Sequence, residues 1–221
     1  GAPRAVRGHV VHLAVEALRQ PLRESILRAR QIDTRDPDLG ESELPGPGPN
    51  PTHELMAADH LPIVETRTLV QRWLSEDDCD ALAGKLASSQ ALGDAFIALH
   101  GDLGAGKTTF VRHLLRALGI GSRIKSPTYA VVEPHEAPGG LAIFHFDFYR
   151  FSDPHEWDDA GFRDIFAGPG LKLAEWPDKA AGRIPLADLA IKIEAMTDDT
   201  RTVTLQANTA LGSRLIDAAA A

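Results

Sequence analysis

The sequence predicts an α/β fold in which a mixed β-sheet carries helices on both faces. Short apolar runs typical of buried strands alternate with segments whose apolar residues recur at helical spacing. Residues 95–99 (AFIAL) predict a strand, and residues 108–118 (TTFVRHLLRAL) predict a helix. The chain has 221 residues, 43% hydrophobic and 24% charged, which is enough for one domain with its own core plus an extra segment.

Residues 1–60 differ from this pattern and are expected to form a poorly structured N-terminal extension. Residues 10–30 could form an amphipathic helix interrupted at Pro21. Residues 44–51 (LPGPGPNP) predict a linker, because alternating proline and glycine cannot hold a helix or a central strand.

The folded domain is expected to span residues 61–221. We expect residues 1–55 to be dispensable, and Met56 could be the true start of the protein. The alternative is that the helix in the extension docks on the core or on a partner.

In the first half of the domain, residues 63–74 predict a strand that leads into a loop. Ser75 can cap a helix that runs through Cys79, Leu82 and Leu86, because a serine hydroxyl can accept a hydrogen bond from the first turn. The strand, glycine loop and helix of residues 95–118 follow.

In the second half, two strands flanking a Pro-Gly-Gly turn predict an antiparallel pair. Further apolar runs predict a short helical region, three more strands and a closing helix. The expected order is a strand at 129–133, the turn at 138–140, a strand at 141–147, a helical region at 154–166, a strand at 171–175, and two strands within 187–207 joined near Asp198 and Asp199.

Residues 101–108 (GDLGAGKT) match the pattern G-x-x-x-x-G-K-[ST] without a mismatch. Between a strand and a helix, this pattern predicts a phosphate-binding loop, and the fold is then that of a P-loop nucleotide-binding protein. Backbone amides would surround the phosphates, Lys107 would reach the β and γ phosphates, and Thr108 would ligate Mg²⁺. A plain glycine turn is disfavoured, because it does not need Gly106, Lys107 and Thr108 in register with the helix start.

Asp147 ends the hydrophobic strand at 141–147, which is the form of a Walker B strand. Its carboxylate would emerge beside the phosphate loop at the C-terminal edge of the sheet. Phe148 follows it, so the usual pair of adjacent acids is missing. Glu175, at the end of the next strand, could reach the same metal, although the residues alone leave it equally open to being a surface acid.

Several classes of function are disfavoured. The chain has no N-K-x-D motif for guanine and no glycine in the D-x-x-G position, so a GTPase is not expected. A net charge of −8 argues against a broad basic surface for nucleic acid. The single cysteine excludes an intrachain disulfide and fits a cytoplasmic protein, and the sequence has no run long enough to span a membrane.

Four motifs together resemble the bacterial TsaE family, P-loop ATPases required for the threonylcarbamoyl-adenosine modification of tRNA. The resemblance covers residues 62–217, and residues 1–60 have no counterpart in that family. The motifs are GDLGAGKTT at 101–109, KSPTY at 125–129, HFDFYR at 145–150 and EWP at 175–177.

The resemblance implies a role for each matching residue. Lys107, Thr128, Asp147 and Glu175 would be catalytic, with Thr128 sensing the γ-phosphate and Glu175 acting as a second acid near metal and water. Thr108, Asp147 and Glu175 would hold Mg²⁺. The nucleotide would be bound by Glu76, Asp102, Leu103, Gly104, Ala105, Gly106, Lys107, Thr108, Thr109, Asp147 and Trp176.

Two of these assignments have open alternatives. Trp176 could instead serve core packing. Arg201 could also contact nucleotide, although the alignment slips by one residue there.

The resemblance also implies ATP and Mg²⁺ as cofactors and TsaB and TsaD as partners, with tRNA reached only through that complex. Hydrolysis would support repeated turnover of the transferase. A small-molecule kinase and a nucleotide-gated binding module remain the alternatives.

Overall fold

The computed structural model describes residues 66–121, 124–128, 130–151, 157 and 160–221. The predicted extension, with its helix, its linker and Met56, lies outside the described residues. The strands are β1 (Arg67–Trp73), β2 (Phe96–His100), β3 (Val132–Glu136), β4 (Ala142–Asp147), β5 (Leu171–Glu175), β6 (Leu189–Ala195) and β7 (Arg201–Ala207). The α-helices are α1 (Glu76–Ala87), α2 (Lys107–Ala117), α3 (Phe162–Ala167) and α4 (Ala210–Ala220).

The strands form one mixed sheet in the order β1-β7-β6-β2-β5-β4-β3, which confirms the predicted fold class. Strand β2 pairs in parallel with β5 and β6, and β4 pairs in parallel with β5. The flanking pairs, β1 with β7, β6 with β7 and β3 with β4, are antiparallel. Parallel neighbours end at the same edge, so the residues that follow β2, β4 and β5 meet there.

Alternating residues of the central strands enter two different cores. One face is mainly aliphatic and is covered by α1, α2 and α4, with Leu99 and Leu173 fully buried. The other face is mainly aromatic: Phe146 packs edge-on against Phe162 of α3, with ring centroids 5.4 Å apart. Helices therefore cover both faces, as predicted.

Helix α1 begins as predicted, directly after Ser75. The Ser75 hydroxyl accepts from the amide of Asp77 at 3.2 Å, and the Asp78 carboxylate accepts from the amide of Ser75 at 3.0 Å. This capping box satisfies donors that the helix leaves open. Cys79 lies on the buried side of the helix, and burial raises the pKa of its thiol to about 12.

Strand β3 differs from its predicted bounds of 129–133. It begins at Val132 because the chain is still turning before that residue. The amide of Val131 donates to the carbonyl of Pro127 at 2.7 Å, and Val131 has a φ of 66°. This left-handed conformation is rare for a β-branched residue, so the sequence gives no sign of the turn.

Within the region predicted as helical over 154–166, Trp157 is helical and helix α3 starts at Phe162. Gly161 at the N-cap of α3 has a φ of 68°, a left-handed conformation that glycine adopts readily. No helix among the described residues is long and apolar enough to cross a membrane.

Candidate nucleotide-binding site

The phosphate loop, residues 101–108, joins β2 to α2 as the motif predicts. Gly101, Gly104 and Gly106 all have positive φ, at 136°, 82° and 117°. A Cβ on Gly101 would also collide with the carbonyl oxygen of Ile193 on β6. Gly106 caps α2 without a side-chain acceptor, so the first amides of this helix can face an anion.

Lys107 is buried, with 4% of its surface exposed, at the centre of this loop. Its ammonium group donates to the carbonyl oxygens of Gly101 at 2.6 Å and Asp102 at 2.8 Å. Burial lowers the pKa of Lys107, and the nearby carboxylates of Glu175 and Asp147 oppose that shift. The loop therefore holds a cation in a confined, acid-flanked position.

Trp176 covers the Lys107 ammonium, which lies 3.9 Å from the centre of the indole ring. Such a contact stabilises a cation over an aromatic face. Trp176 has φ 57° and ψ 47°, a left-handed conformation seldom adopted by a bulky residue. Its ring also lies 5.0 Å from that of Tyr149 and packs against the edge of the aromatic core, so the strained residue after β5 contacts both the loop and the core.

Asp147 and Glu175 are neighbours across two parallel strands, as predicted. They are direct register partners at the ends of β4 and β5. Both are almost fully buried, with 3% and 2% of their surfaces exposed. Two carboxylates in this setting require nearby donors or a cation.

Glu175 receives its hydrogen bonds from the loop helix and from β4. The Thr108 hydroxyl lies 2.9 Å from both of its carboxylate oxygens. Nε2 of His145 lies 2.9 Å from Oε1 of Glu175. The phosphate loop and the second acid are thus in direct contact.

Asp147 receives its hydrogen bonds from a different part of the chain. The hydroxyls of Ser126 and Thr128 both donate to its Oδ2, the latter at 2.8 Å, and they lie 2.7 Å from each other. The amide of Tyr149 donates to Oδ1 at 2.9 Å. Thr128 was predicted from the resemblance, and the structure places it on the first acid.

The other predicted residues of the loop lie around its rim. Asp102 and Gly104 are exposed and Leu103 is 76% exposed, whereas Ala105 is buried. Thr109 is half-buried in the first turn of α2. The carbonyl of Ala105 accepts from Nε of Arg201 at 3.2 Å, so Arg201 touches the loop backbone.

Glu76 does not contact the loop through its described hydrogen bonds. Its carboxylate lies 2.8 Å from Nε2 of His113, and Asp80 lies 2.7 Å from Nδ1 of the same ring. His113 is six residues beyond Lys107 on α2, about 9 Å along the helix axis. The predicted nucleotide contact of Glu76 stays a prediction.

Two site residues, Ser126 and His145, were not assigned a role from the sequence. Both lie in motifs that carried the resemblance. His145 precedes Asp147 by two positions, so strand alternation alone puts both side chains on one face. That signal was sufficient to find His145, whereas the contact of Ser126 depends on the loop conformation.

The residues that meet here fit a magnesium site completed by phosphate. Mg²⁺ prefers oxygen ligands and is usually held by one or two carboxylates together with substrate phosphates. Thr108, Asp147 and Glu175 offer one hydroxyl and two carboxylates. No group of three or more His, Cys, Asp or Glu side chains in the described part of the chain could hold a metal ion by itself.

Comparison with known proteins identifies the family. The model of "Threonylcarbamoyl adenosine biosynthesis protein TsaE" matches residues 73–203. The tRNA threonylcarbamoyladenosine biosynthesis protein TsaE of Haemophilus influenzae is 42% identical over 134 residues, which are 61% of this chain and 82% of that protein. The protein of the same name from Bacillus subtilis is 35% identical over 148 residues, 67% of this chain and 89% of that protein.

A solved structure agrees with these relatives. The crystal structure of Bacillus subtilis YdiB superposes with a TM-score of 0.58 at 29% identity, covering 70% of this chain and 95% of that one. The matched region contains the phosphate loop and both acids. The resemblance inferred from the four motifs is confirmed, and the chain belongs to the TsaE family of threonylcarbamoyl adenosine biosynthesis proteins.

Proposed function

We propose that this protein is a Mg²⁺-dependent ATPase that acts with TsaB and TsaD in the threonylcarbamoyl-adenosine modification of tRNA. The observation that carries the proposal is the contact between the phosphate loop and the paired acids. Thr108 of the loop donates to Glu175, which is the register partner of Asp147. A glycine turn without a ligand has no need for a lysine, a hydroxyl and two buried carboxylates in one place.

The loop would bind the phosphates through its amides and Lys107. In this structure the ammonium group donates to two carbonyl oxygens of the loop itself. Phosphate oxygens can replace these acceptors without moving the backbone. Because Lys107 is buried, its charge acts with little screening by water. Such preorganised charge stabilises the oxygens on which negative charge develops during phosphoryl transfer.

Thr108, Asp147 and Glu175 would hold Mg²⁺ and the attacking water. The ion, when bound, neutralises charge on the β and γ phosphates. The pairing of β4 with β5 fixes the spacing of the two acids, so neither has to be ordered during the reaction. Either carboxylate can accept a hydrogen bond from water.

Thr128 would couple the state of the bound nucleotide to the conformation of residues 124–128. It shares the Asp147 oxygen with Ser126, and the segment of residues 124–128 carries both hydroxyls. A metal that binds Asp147 in place of these donors, or a γ-phosphate that accepts from the hydroxyls in place of Asp147, would release the segment and rearrange it. A two-state loop of this kind can report the nucleotide state to a partner.

The proposed partners are TsaB and TsaD, with tRNA reached through them in the cytoplasm. The net charge of −8 supports binding to a protein partner more than direct binding to tRNA. Two exposed apolar side chains lie at the rim of the site: Leu103 is 76% exposed and Tyr149 is 40% exposed. A protein that covered this rim would contact the phosphate loop and the HFDFYR motif together.

The test is to measure ATP binding and phosphate release with Mg²⁺ and with a chelator. We expect binding in both conditions and release of inorganic phosphate only with the metal. Phosphate transfer to a small molecule would indicate a kinase instead. If an Asp147→Asn variant binds ATP without cleaving it and still supports tRNA modification, the protein is a nucleotide-gated binding module.

A further inference from the structure

We infer that His145 is a positioning residue that fixes the Glu175 carboxylate through a hydrogen bond from its Nε2–H. The consequence for catalysis depends on the proposed function, whereas the hydrogen bond itself does not. The ring of His145 is fully buried, with 0% of its surface exposed. Its Nε2 lies 2.9 Å from Oε1 of Glu175.

The position of the proton follows from the surroundings of the other ring nitrogen. Nδ1 of His145 is buried and has no hydrogen-bond partner among the described residues. A proton on Nδ1 would be a buried donor without an acceptor, which is costly. A proton on Nε2 instead meets a carboxylate oxygen, so the geometry assigns the hydrogen of this contact to Nε2.

His145 matters because the other donor to Glu175 is also required elsewhere. The Thr108 hydroxyl donates to Glu175 in this structure, and it is also the hydroxyl expected to ligate Mg²⁺. When Thr108 binds the metal through an oxygen lone pair, the metal also constrains the direction of its O–H. The hydrogen bond from His145 does not depend on the metal, so it holds the carboxylate in place with or without the ion.

The backbone makes His145 a rigid support. It lies on β4, a fully buried strand, with β5 on one side and β3 on the other. Both side chains are almost fully buried, so the packing around them restricts their movement. Partners of this kind orient metal ligands, and their loss typically costs about 10- to 100-fold in activity or metal affinity.

A second, half-buried histidine provides a control. His135 on β3 has a buried Nε2 without a partner among the described residues, and it lies on the same face of the sheet. No hydrogen bond joins its ring to Glu175. A substitution at His135 therefore tests loss of a partly buried ring, whereas one at His145 tests loss of a ring and of the donor to Glu175.

The variants that separate these effects are His145→Gln and His145→Asn in the full chain. The glutamine amide reaches the position of Nε2 and can still donate to Glu175, whereas the shorter asparagine amide reaches only the position of Nδ1. We expect His145→Gln to hydrolyse ATP within about 3-fold of the wild type and His145→Asn to lose about 10-fold or more in kcat, with KM little changed. His135→Gln should behave as the wild type.

A readout that needs no activity is the ¹⁵N spectrum of the histidine rings in the nucleotide-free protein. We expect Nε2 of His145 to carry a proton, and its signal to move in Glu175→Gln while the His135 signals stay in place. An unprotonated Nε2, or an unchanged signal in Glu175→Gln, overturns the inference. Equal kcat in His145→Gln and His145→Asn also overturns it. If the wild type has no ATPase activity, the proposed function fails, and the spectrum still decides the hydrogen bond.

Discussion

Asp147 and Glu175 end adjacent strands, but their hydrogen-bond partners come from different parts of the molecule. Asp147 accepts from Ser126 and Thr128, which lie on the segment that precedes β3. Glu175 accepts from Thr108, in the first turn of α2, and lies against His145 on β4. The first acid is therefore tied to a loop, and the second is tied to regular secondary structure.

This difference indicates a division of labour between two chemically similar groups. A change in the hydrogen bonds of Asp147 alters the contacts that hold residues 124–128, which form a loop. A change in the hydrogen bonds of Glu175 affects only side chains of α2 and β4, whose backbones are held by regular secondary structure. Asp147 is thus suited to transmit the nucleotide state to a partner, and Glu175 is suited to keep metal or water at a fixed place. Variants of the two acids should therefore behave differently, whereas loss of the cation that both acids face should impair the function of both.

Lys107→Ala should have the largest effect, because the loop loses the buried cation that both acids face. We expect weaker ATP binding and a loss of hydrolysis of at least about 10²-fold. Nucleotide titration and phosphate release measure the two effects. Lys172→Ala is the matched control: Lys172 is also buried, at 3% exposed, and its pKa is also lowered by burial, but its ammonium group donates to Gly168 away from the loop. Wild-type turnover in Lys107→Ala would contradict the site.

Glu175→Gln and Asp147→Asn should each retain most nucleotide binding and lose about 10²-fold in turnover, by analogy with the loss of one charge-stabilising group. The comparison predicts that they differ in structure. Hydrogen exchange at residues 124–128 should increase in Asp147→Asn and stay unchanged in Glu175→Gln. Equal exchange in the two variants would remove the division of labour, and normal hydrolysis by Glu175→Gln would remove its catalytic role.

Ser126→Ala should have a smaller effect, because Thr128 and the amide of Tyr149 still donate to Asp147. Loss of one hydrogen bond to a charged group corresponds to about 1.5–3 kcal/mol, which bounds the change expected in stability or in activation free energy. Chemical denaturation and phosphate release measure it. Ser88→Ala is the control, since that hydroxyl caps α1 by donating to the carbonyl of Lys85. The same loss in both variants would show that Ser126 has no special link to Asp147.

The last prediction concerns pH and the half-buried ring of His135 on β3. Burial lowers the pKa of His135 from 6.5 to about 4. The unfolded chain therefore binds this proton more readily, so the stability contributed by neutral His135 is fully present above pH 6.5 and is lost as the pH falls toward 4. Denaturation at several pH values should show a shallower decline in His135→Gln than in the wild type. Parallel curves would contradict the assignment.

The sequence predicts the parts of the site that depend on motif and strand order. The phosphate loop follows from residues 101–108, and the meeting of Asp147 with Glu175 follows from two parallel strands ending at one edge. These features are local patterns or consequences of topology, so a single sequence contains them.

The parts that could not be predicted depend on tertiary contacts. Trp176 and Val131 have positive φ without a glycine to signal it. Ser126 reaches Asp147 only because the chain turns before β3, and Glu76 faces His113 only because α1 packs on α2. Side-chain partners across elements are set by packing, which periodicity does not record.

The proposed function implies that the isolated chain hydrolyses ATP only slowly. The residue after Asp147 is a fully buried phenylalanine rather than a second acid, so activation of water is expected to need the partners. The direct measurement is phosphate release from ATP with Mg²⁺ by the full chain, alone and with TsaB and TsaD. We predict slow release alone and a marked increase with the partners, abolished by Lys107→Ala. A rate that is high alone and unchanged by TsaB and TsaD, or no release under any condition, would contradict the account.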